Sequence, residues 1–453
     1  MDSIRHLPPG PAQNKLFQTM ALLRKPISFL ETCRHQYGKT FTLNILGREK
    51  AVVISDSADL KKVFSDNAQQ LNTGEVYSTL MGPVVGKGSL FSLDGPVHVQ
   101  HRKLLLPPFH GHCMHAYNAM MAKSVQDKIA IWKKDDKLIL SNELHDITFN
   151  IIFNAIFGMN EENARFQQLK KLLRALLRSF STPYAHFVII APMFHRHLGP
   201  LTPWANIMKL RRAICRCISE EIEDRNNNNL EPRADILSAL LRSRDEAGIF
   251  LTNEDICDEI LTVLIAGYDA TSMSTCWGFY GILSNPDIYN NLMEELNGIV
   301  GKKEDLIVHL DKLVYLDAVV KEALRVNPVI PLMVRVTKEN YQLGRYTLPK
   351  GTGILPCTYL AHRDPTLWSE PEKFKPERFI NSATIPFSYV PFGSGIRRCI
   401  GAAFTHNEMK IVIANILLHA ELKLKENYEA KIVMRGVAAV PSGGVPVVVT
   451  KLY

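Results

Sequence analysis

The residues best suited to chemistry lie in one decapeptide, Phe392-Gly393-Ser394-Gly395-Ile396-Arg397-Arg398-Cys399-Ile400-Gly401. Its cysteine offers a soft thiolate, which suits iron, and a thiolate ligand pushes electron density toward bound dioxygen. Glycines at 393, 395 and 401 leave room for backbone to lie against a flat macrocycle and free amide N–H groups to bond the sulfur. The helix expected to follow aims its positive end at the thiolate and lowers its pKa. Arg397 offers a cation for an acidic edge of such a group.

A second constellation is charged. Glu322 and Arg325 lie three apart on an expected helix and share a face, and Arg378 follows in Pro376-Glu377-Arg378-Phe379. A third pair, His98 and Arg102, is four apart, which stacks both on one helix face ready to donate to a carboxylate. A fourth lies in the sequence Ala266-Gly267-Tyr268-Asp269-Ala270-Thr271-Ser272, inside a long expected helix. Helix-interior glycine costs about 1 kcal/mol relative to alanine, so Gly267 asks for a reason, and close passage over a flat cofactor supplies one. Asp269 can deliver protons, which the splitting of an O–O bond requires.

Phe-x-x-Gly-x-Arg-x-Cys-x-Gly, read here without mismatch from Phe392 to Gly401, resembles the haem-binding signature of the cytochromes P-450. The resemblance runs from Leu7–Pro11 to the C-terminus. It implies a soluble bacterial-type haem-thiolate monooxygenase with haem b, Cys399 as the axial ligand, and Phe392, Arg397 and Gly401 around it. It implies propionate contacts for His98, Arg102 and Arg335, a buried structural cluster of Glu322, Arg325 and Arg378, and an oxygen-activating helix carrying Gly267, Asp269 and Thr271. The family's usual threonine after the acid is Ala270 here; Thr271 is turned by about 100° and cannot simply substitute. An ordered water or a substrate hydroxyl is expected to complete the relay.

The implied reaction hydroxylates or epoxidises a hydrophobic small molecule (fatty acid, terpenoid or steroid-like) with O2. Ala270 also leaves open a peroxide-driven peroxygenase or an isomerase, and a non-catalytic haem sensor ranks below both. Substrate-lining segments are expected at Tyr77–Phe91, Ser179–Phe194, Val329–Met333 and Val437–Ser442, with the three glycines of Gly82–Gly88 able to open as a lid. No Rossmann glycine fingerprint follows a strand and no flavin domain fits the length, so electrons are expected from a separate ferredoxin or flavodoxin, docked by Arg397, Arg398 and Lys410.

The elements that must position these groups are mainly helical. Leu7-Pro8-Pro9-Gly10-Pro11 is stiff and extended. A helix is expected from Pro26 to Tyr37 with Gly38 as its stop, then a hairpin of Thr40–Leu46 and Ala51–Ile54. From Ser57 to Leu324 the pattern is mostly helical, with an exposed loop at Asn226–Asn229. Thr252-Asn253-Glu254-Asp255 reads as a capping box, opening a helix of about 45 Å that Pro286 stops. Strands return at Leu332–Val336 and Thr352–Leu355, and a helix covers Ala402–Leu418. The expected fold is mainly α with a small β-rich region (α+β), the cytochrome P-450 fold with a long central helix over haem. One domain spans 1–453, with its β-rich part near 38–56 and 330–356.

Composition narrows the class. Of 453 residues, 46% are hydrophobic and 22% charged, as in ordinary globular proteins. The net charge of +8 is dispersed among acids, not gathered into the arginine-rich runs of a nucleic-acid binder. A mild basic face for an acidic protein and a merely solvated surface both fit it. Eight cysteines without zinc spacing suggest free thiols in a reducing compartment, hence the cytoplasm. No apolar run reaches the ~20 residues of a transmembrane anchor; Leu16–Leu30 reads as packed surface structure.

Overall fold

The structure is a computed structural model that describes residues 7–46, 48–65, 70–158, 164–180, 202–227, 235–244, 248, 251–380 and 385–453. The chain clusters into two compact units. The first comprises Met1–Asn72, Met121–Ile147 and Ala270–Tyr453, the second Thr73–Met120 and Thr148–Asp269.

In the first unit, helix α1 (Lys15–Arg24) opens under an Asn14 cap whose side chain accepts from the Phe17 amide at 2.8 Å. Helix α2 (Pro26–Tyr37) has the expected bounds: Pro26 sits in its first turn and Gly38, at φ 91°, ends it. Strands β1 (Thr40–Ile45) and β2 (Arg48–Ile54) pair antiparallel with Thr40 opposite Ile54, which is the expected hairpin. The Leu7–Pro11 segment lies on β1, with the Thr42 amide donating to the Pro9 carbonyl at 2.9 Å. A side chain at position 10 would come within 1.9 Å of the Thr42 carbonyl, so this contact requires Gly10.

Helix α3 (Ser57–Ser65) and strand β3 (Leu71–Asn72) follow, and β4 (Arg335–Thr337) and β5 (Gly353–Pro356) complete a five-stranded sheet in the order β1-β2-β5-β4-β3. Only β2 and β5 run parallel. The strand signal at Leu332–Val336 resolves into β4 and an isolated bridge from Leu332 to Cys357. Val52, Ile54, Leu60, Phe64 and Ile354 form an apolar cluster on this sheet. Leu30 is fully buried and Leu22 of α1 packs against the same cluster, while Leu16, Phe17 and Leu23 are more than half exposed, so Leu16–Leu30 is packed surface structure except along one face of α1.

The second unit contains α4 (Gly82–Val85), α5 (Gly95–Leu105), most of α6 (Leu140–Phe157), α7 (Ala164–Phe180), α8 (Pro203–Asn227) and the first half of α9 (Asn253–Leu283). The capping box is formed. Thr252 Oγ1 accepts from the Asp255 amide at 3.1 Å, and Asp255 Oδ2 accepts from the Thr252 amide at 3.2 Å. At 31 residues α9 is about 46 Å long. Asn226 and Asn227 end α8 and are not loop; 228–229 lie outside the described residues.

The free-thiol expectation fails at one pair: Cys215 of α8 and Cys257 of α9 form a disulfide. Their 42-residue separation hides the pairing from any local spacing rule, and the Cys215/Cys217 doublet misdirects the eye. The first unit also holds helices α10 (Val314–Val326) and α11 (Ala402–His419). No helix among the described residues is long and apolar enough to cross a membrane.

Candidate active site

In the first unit the cysteine loop is built by two left-handed glycines, Gly393 at φ 66° and Gly395 at φ 68°. Gly393 donates to the Val390 carbonyl at 3.0 Å, and the Cys399 amide closes the loop onto the Phe392 carbonyl at 2.9 Å. A Cβ at Gly395 would sit 1.9 Å from the carbonyl of Phe64, so the loop rests directly on the end of α3. Gly401 caps α11, its carbonyl accepting from the Thr405 amide at 2.8 Å. Cys399 is exposed, three residues before the first turn of α11. Arg397 is half-buried and Arg398 exposed. Arg335 on β4 is buried, donates to the Val334 carbonyl at 2.8 Å and lies 5.8 Å over the Phe64 ring.

Behind this loop the charged cluster assembles. Glu322 and Arg325 are fully buried. Arg325 Nε and Nη2 donate to the two Glu322 oxygens at 2.7 and 2.9 Å, and Arg378 Nε donates to Glu322 Oε1 at 3.0 Å. The remaining Arg325 donors reach the carbonyls of His362, Pro371 and Lys373 at 2.8, 2.9 and 3.1 Å. Each guanidinium N–H thus meets an acceptor, the condition for burying such a charge. His362 is the residue that sequence reasoning missed. Its carbonyl takes Arg325, while its Nε2 accepts from the Val390 amide at 2.9 Å, so it joins the cluster to the segment leading into the cysteine loop. Burial, and then the charge of Arg325, push its pKa down to about 3 and keep it neutral, as that acceptor role requires.

Lys410 does not contribute surface charge. It is buried in α11, with its ammonium donating to the Leu310 carbonyl at 2.8 Å, and desolvation lowers its pKa. Thr271, also in the first unit, is 1% exposed, and its hydroxyl lies 3.2 Å from that of Thr405.

The second unit carries His98, Arg102, Gly267 and Asp269. His98 is buried and Arg102 half-buried in α5, and Asp269 is half-buried in α9. In α5, His101 Nδ1 approaches the buried Glu259 at 3.2 Å, a link between α5 and α9. The Gly82–Gly88 segment is stitched to α9. Asp258 accepts from the Gly88 amide at 3.1 Å and from Arg211 of α8 at 2.5 Å, and a Cβ at Gly86 would sit 1.8 Å from the Asp258 carboxyl. Nothing local in the sequence marks Asp258, because its partners lie 170 and 47 residues away. Of Ser179–Phe194, residues 181–194 lie outside the described residues.

The residues fit a haem. Along α9, burial is continuous over 256–264 and 271–279 but lapses from Ile265 to Ala270, where Ala266 is exposed. A Cβ at Gly267 would meet only Ile152, at an ordinary 3.4 Å, so protein packing alone does not demand glycine there. Cys399 is likewise exposed. In the first unit, a cysteine with arginines at 335 and 397 matches an anionic, iron-bearing group, and in the second the small residues of α9 match a flat one.

Comparison with known proteins agrees. The profile of the family described as Cytochrome P450 matches residues 8–445. The chain is 33% identical over 447 residues to "Putative cytochrome P450 138" of Mycobacterium tuberculosis, covering 98% of this chain and 96% of that protein. It is 30% identical to "Putative cytochrome P450 135B1" of Mycobacterium bovis, covering 97% and 90%. Among solved structures, the retinoic acid-bound cyanobacterial CYP120A1 superposes with a TM-score of 0.83 at 24% identity over 99% of both chains.

Proposed function

The chain belongs to the cytochrome P450 family and is a haem-thiolate monooxygenase, and from that premise we propose that Cys399 is the residue that holds the iron. The supporting observation is the loop itself: a glycine-turned segment that presents an exposed thiol three residues before α11. Bound haem supplies the activation of dioxygen. His98 and Arg102 of α5, with Arg335 and Arg397, are the donors for its propionates. Asp269 delivers protons; with Ala270 beside it, a water or a substrate hydroxyl carries the last step.

The substrate class is a hydrophobic small molecule. Support comes from the apolar composition of Tyr77–Phe91, Val329–Met333 and Val437–Ser442, each with few charges. Tyr77 and Phe91 stack at 5.5 Å between ring centres. The electron donor is a ferredoxin or flavodoxin type protein, attracted by Arg397 and Arg398.

The experiment is spectroscopic. Reduced, carbon monoxide-treated protein should give the red-shifted Soret band of a thiolate-bound iron, and Cys399→Ser should lose it. A wild-type protein that binds haem without that band refutes the assignment. Lipophilic compounds that shift the oxidised Soret band then identify the substrate class.

A further inference from the structure

Helix α1 is turned inside out. At 100° per residue, Leu16, Phe17, Met20 and Leu23 fall within an arc of about 120°. Their exposures are 59%, 55%, 38% and 58%. On the opposite side Gln18 is fully buried. Its amide donates to the Pro11 and Gln13 carbonyls at 3.0 and 2.6 Å, and its oxygen accepts from the Asn44 amide at 2.8 Å. Gln18, with Leu22 packed against the core beside it, therefore holds the helix to the body while Leu16, Phe17, Met20 and Leu23 point away. Leu46, 51% exposed, extends this surface, because its amide donates to the Thr19 hydroxyl of α1 at 2.9 Å.

An isolated exposed leucine needs no account, but a contiguous apolar face marks an interaction surface. Along residues 3–30 the charge is of one sign. Lys15, Arg24 and Lys25 are exposed, and no acidic residue occurs between Asp2 and Glu31. A second copy of the chain would bring these cations face to face, which disfavours self-association. Ten residues, about 15 Å of helix, cannot span a hydrocarbon core of about 30 Å, but can lie in its surface.

We infer that α1 and the Leu46 turn dock the protein on the surface of an anionic phospholipid bilayer, with the apolar face among the acyl chains and Lys15, Arg24 and Lys25 at the headgroups. This would bring the enzyme to the phase in which lipophilic molecules concentrate.

Flotation of the full-length haem-loaded protein with vesicles tests the inference. Protein should float with vesicles of phosphatidylcholine containing phosphatidylglycerol, more weakly with pure phosphatidylcholine, and less as salt rises. Phe17→Ser with Leu23→Ser should abolish flotation. Arg24→Gln with Lys25→Gln should weaken it by about 30-fold, given roughly 1 kcal/mol per surface cation. Both variants alter exposed positions and should keep the carbon monoxide spectrum and melting temperature. Failure of the wild type to float on anionic vesicles at low salt overturns the proposal, as do variants that float equally well. A serine variant that changes a dimer to a monomer in sedimentation without changing flotation assigns the face to a second copy instead, and also overturns it.

Discussion

The hydroxyls of Thr271 and Thr405 lie 3.2 Å apart, joining α9 to the helix that follows Cys399. Thr271 is buried and engaged in that link, one residue beyond Ala270, where a relay hydroxyl would be useful. Supplying a hydroxyl at 270 should therefore raise the product formed per reducing equivalent in Ala270→Thr, while Thr271→Val leaves coupling alone and costs about 1 kcal/mol of stability. Product and hydrogen peroxide, measured together against reductant consumed, decide the matter. If coupling does not improve although substrate still binds, the relay reading is wrong, and efficient turnover on peroxide alone would favour the peroxygenase.

The disulfide should be countable. Of eight cysteines, six are free, so unreduced protein in denaturant should titrate six thiols and reduced protein eight. Closing a 42-residue segment is worth about 4 kcal/mol in the chain-entropy picture, so reductant should lower the melting temperature by about 4 °C. Cys215→Ser with Cys257→Ser should reproduce that loss and be insensitive to reductant. Eight thiols without reduction would show that the bond does not form.

Glu322 is the shared counter-ion of two guanidiniums, one of them wholly buried. Glu322→Ala should cost about 3–5 kcal/mol, because it leaves buried charge uncompensated. The expected phenotype is poorly folded protein with little haem. Well-folded, fully loaded Glu322→Ala would show the cluster to be dispensable.

His362 gives a pH signature. An unfolded histidine titrates near 6.5, and in the fold burial and the Arg325 charge lower this to about 3. Between those values the unfolded chain binds the proton and the folded chain does not. Stability is thus full above 6.5 and falls as pH drops from there toward 3. The urea midpoint should decline between pH 7 and pH 5, and His362→Gln should flatten the decline while lowering the starting value. An equally steep slope in the variant would move the effect to other groups, such as His406, whose pKa burial also lowers to about 4.

Reduction by an acidic redox protein should slow as ionic strength rises, and Arg398→Glu should slow it further at low salt. Stopped-flow rates that ignore salt would remove the case for electrostatic docking. Lys410→Gln should alter stability rather than the salt slope, since its ammonium is spent on the Leu310 carbonyl.

What could be read from sequence was local. Pro26 and Gly38 bound α2, and Thr252 with Asp255 opens α9, because caps and stops act within a few residues. The cysteine loop is legible for the same reason: its glycines and Cys399 all lie between Phe392 and Gly401. What escaped depends on distant partners. Cys257 gives no hint of Cys215, and Asp258 none of Arg211 or Gly88. Lys410 looks like any helical lysine until Leu310 is placed against it. The reversal of α1 was hidden because period alone tells which residues share a face, never which way that face points; Gln18 and its three backbone partners decide that.

His362 holds Arg325 at its carbonyl and Val390 at its ring, so the scaffold and the cysteine loop have a common fastening. Damage far from the sulfur, at Glu322 or Arg378, would therefore first be seen as pale protein rather than as a slow catalyst. A screen scored only by turnover would misfile such variants as chemical defects, and colour per mole of chain is the measurement that sorts them correctly.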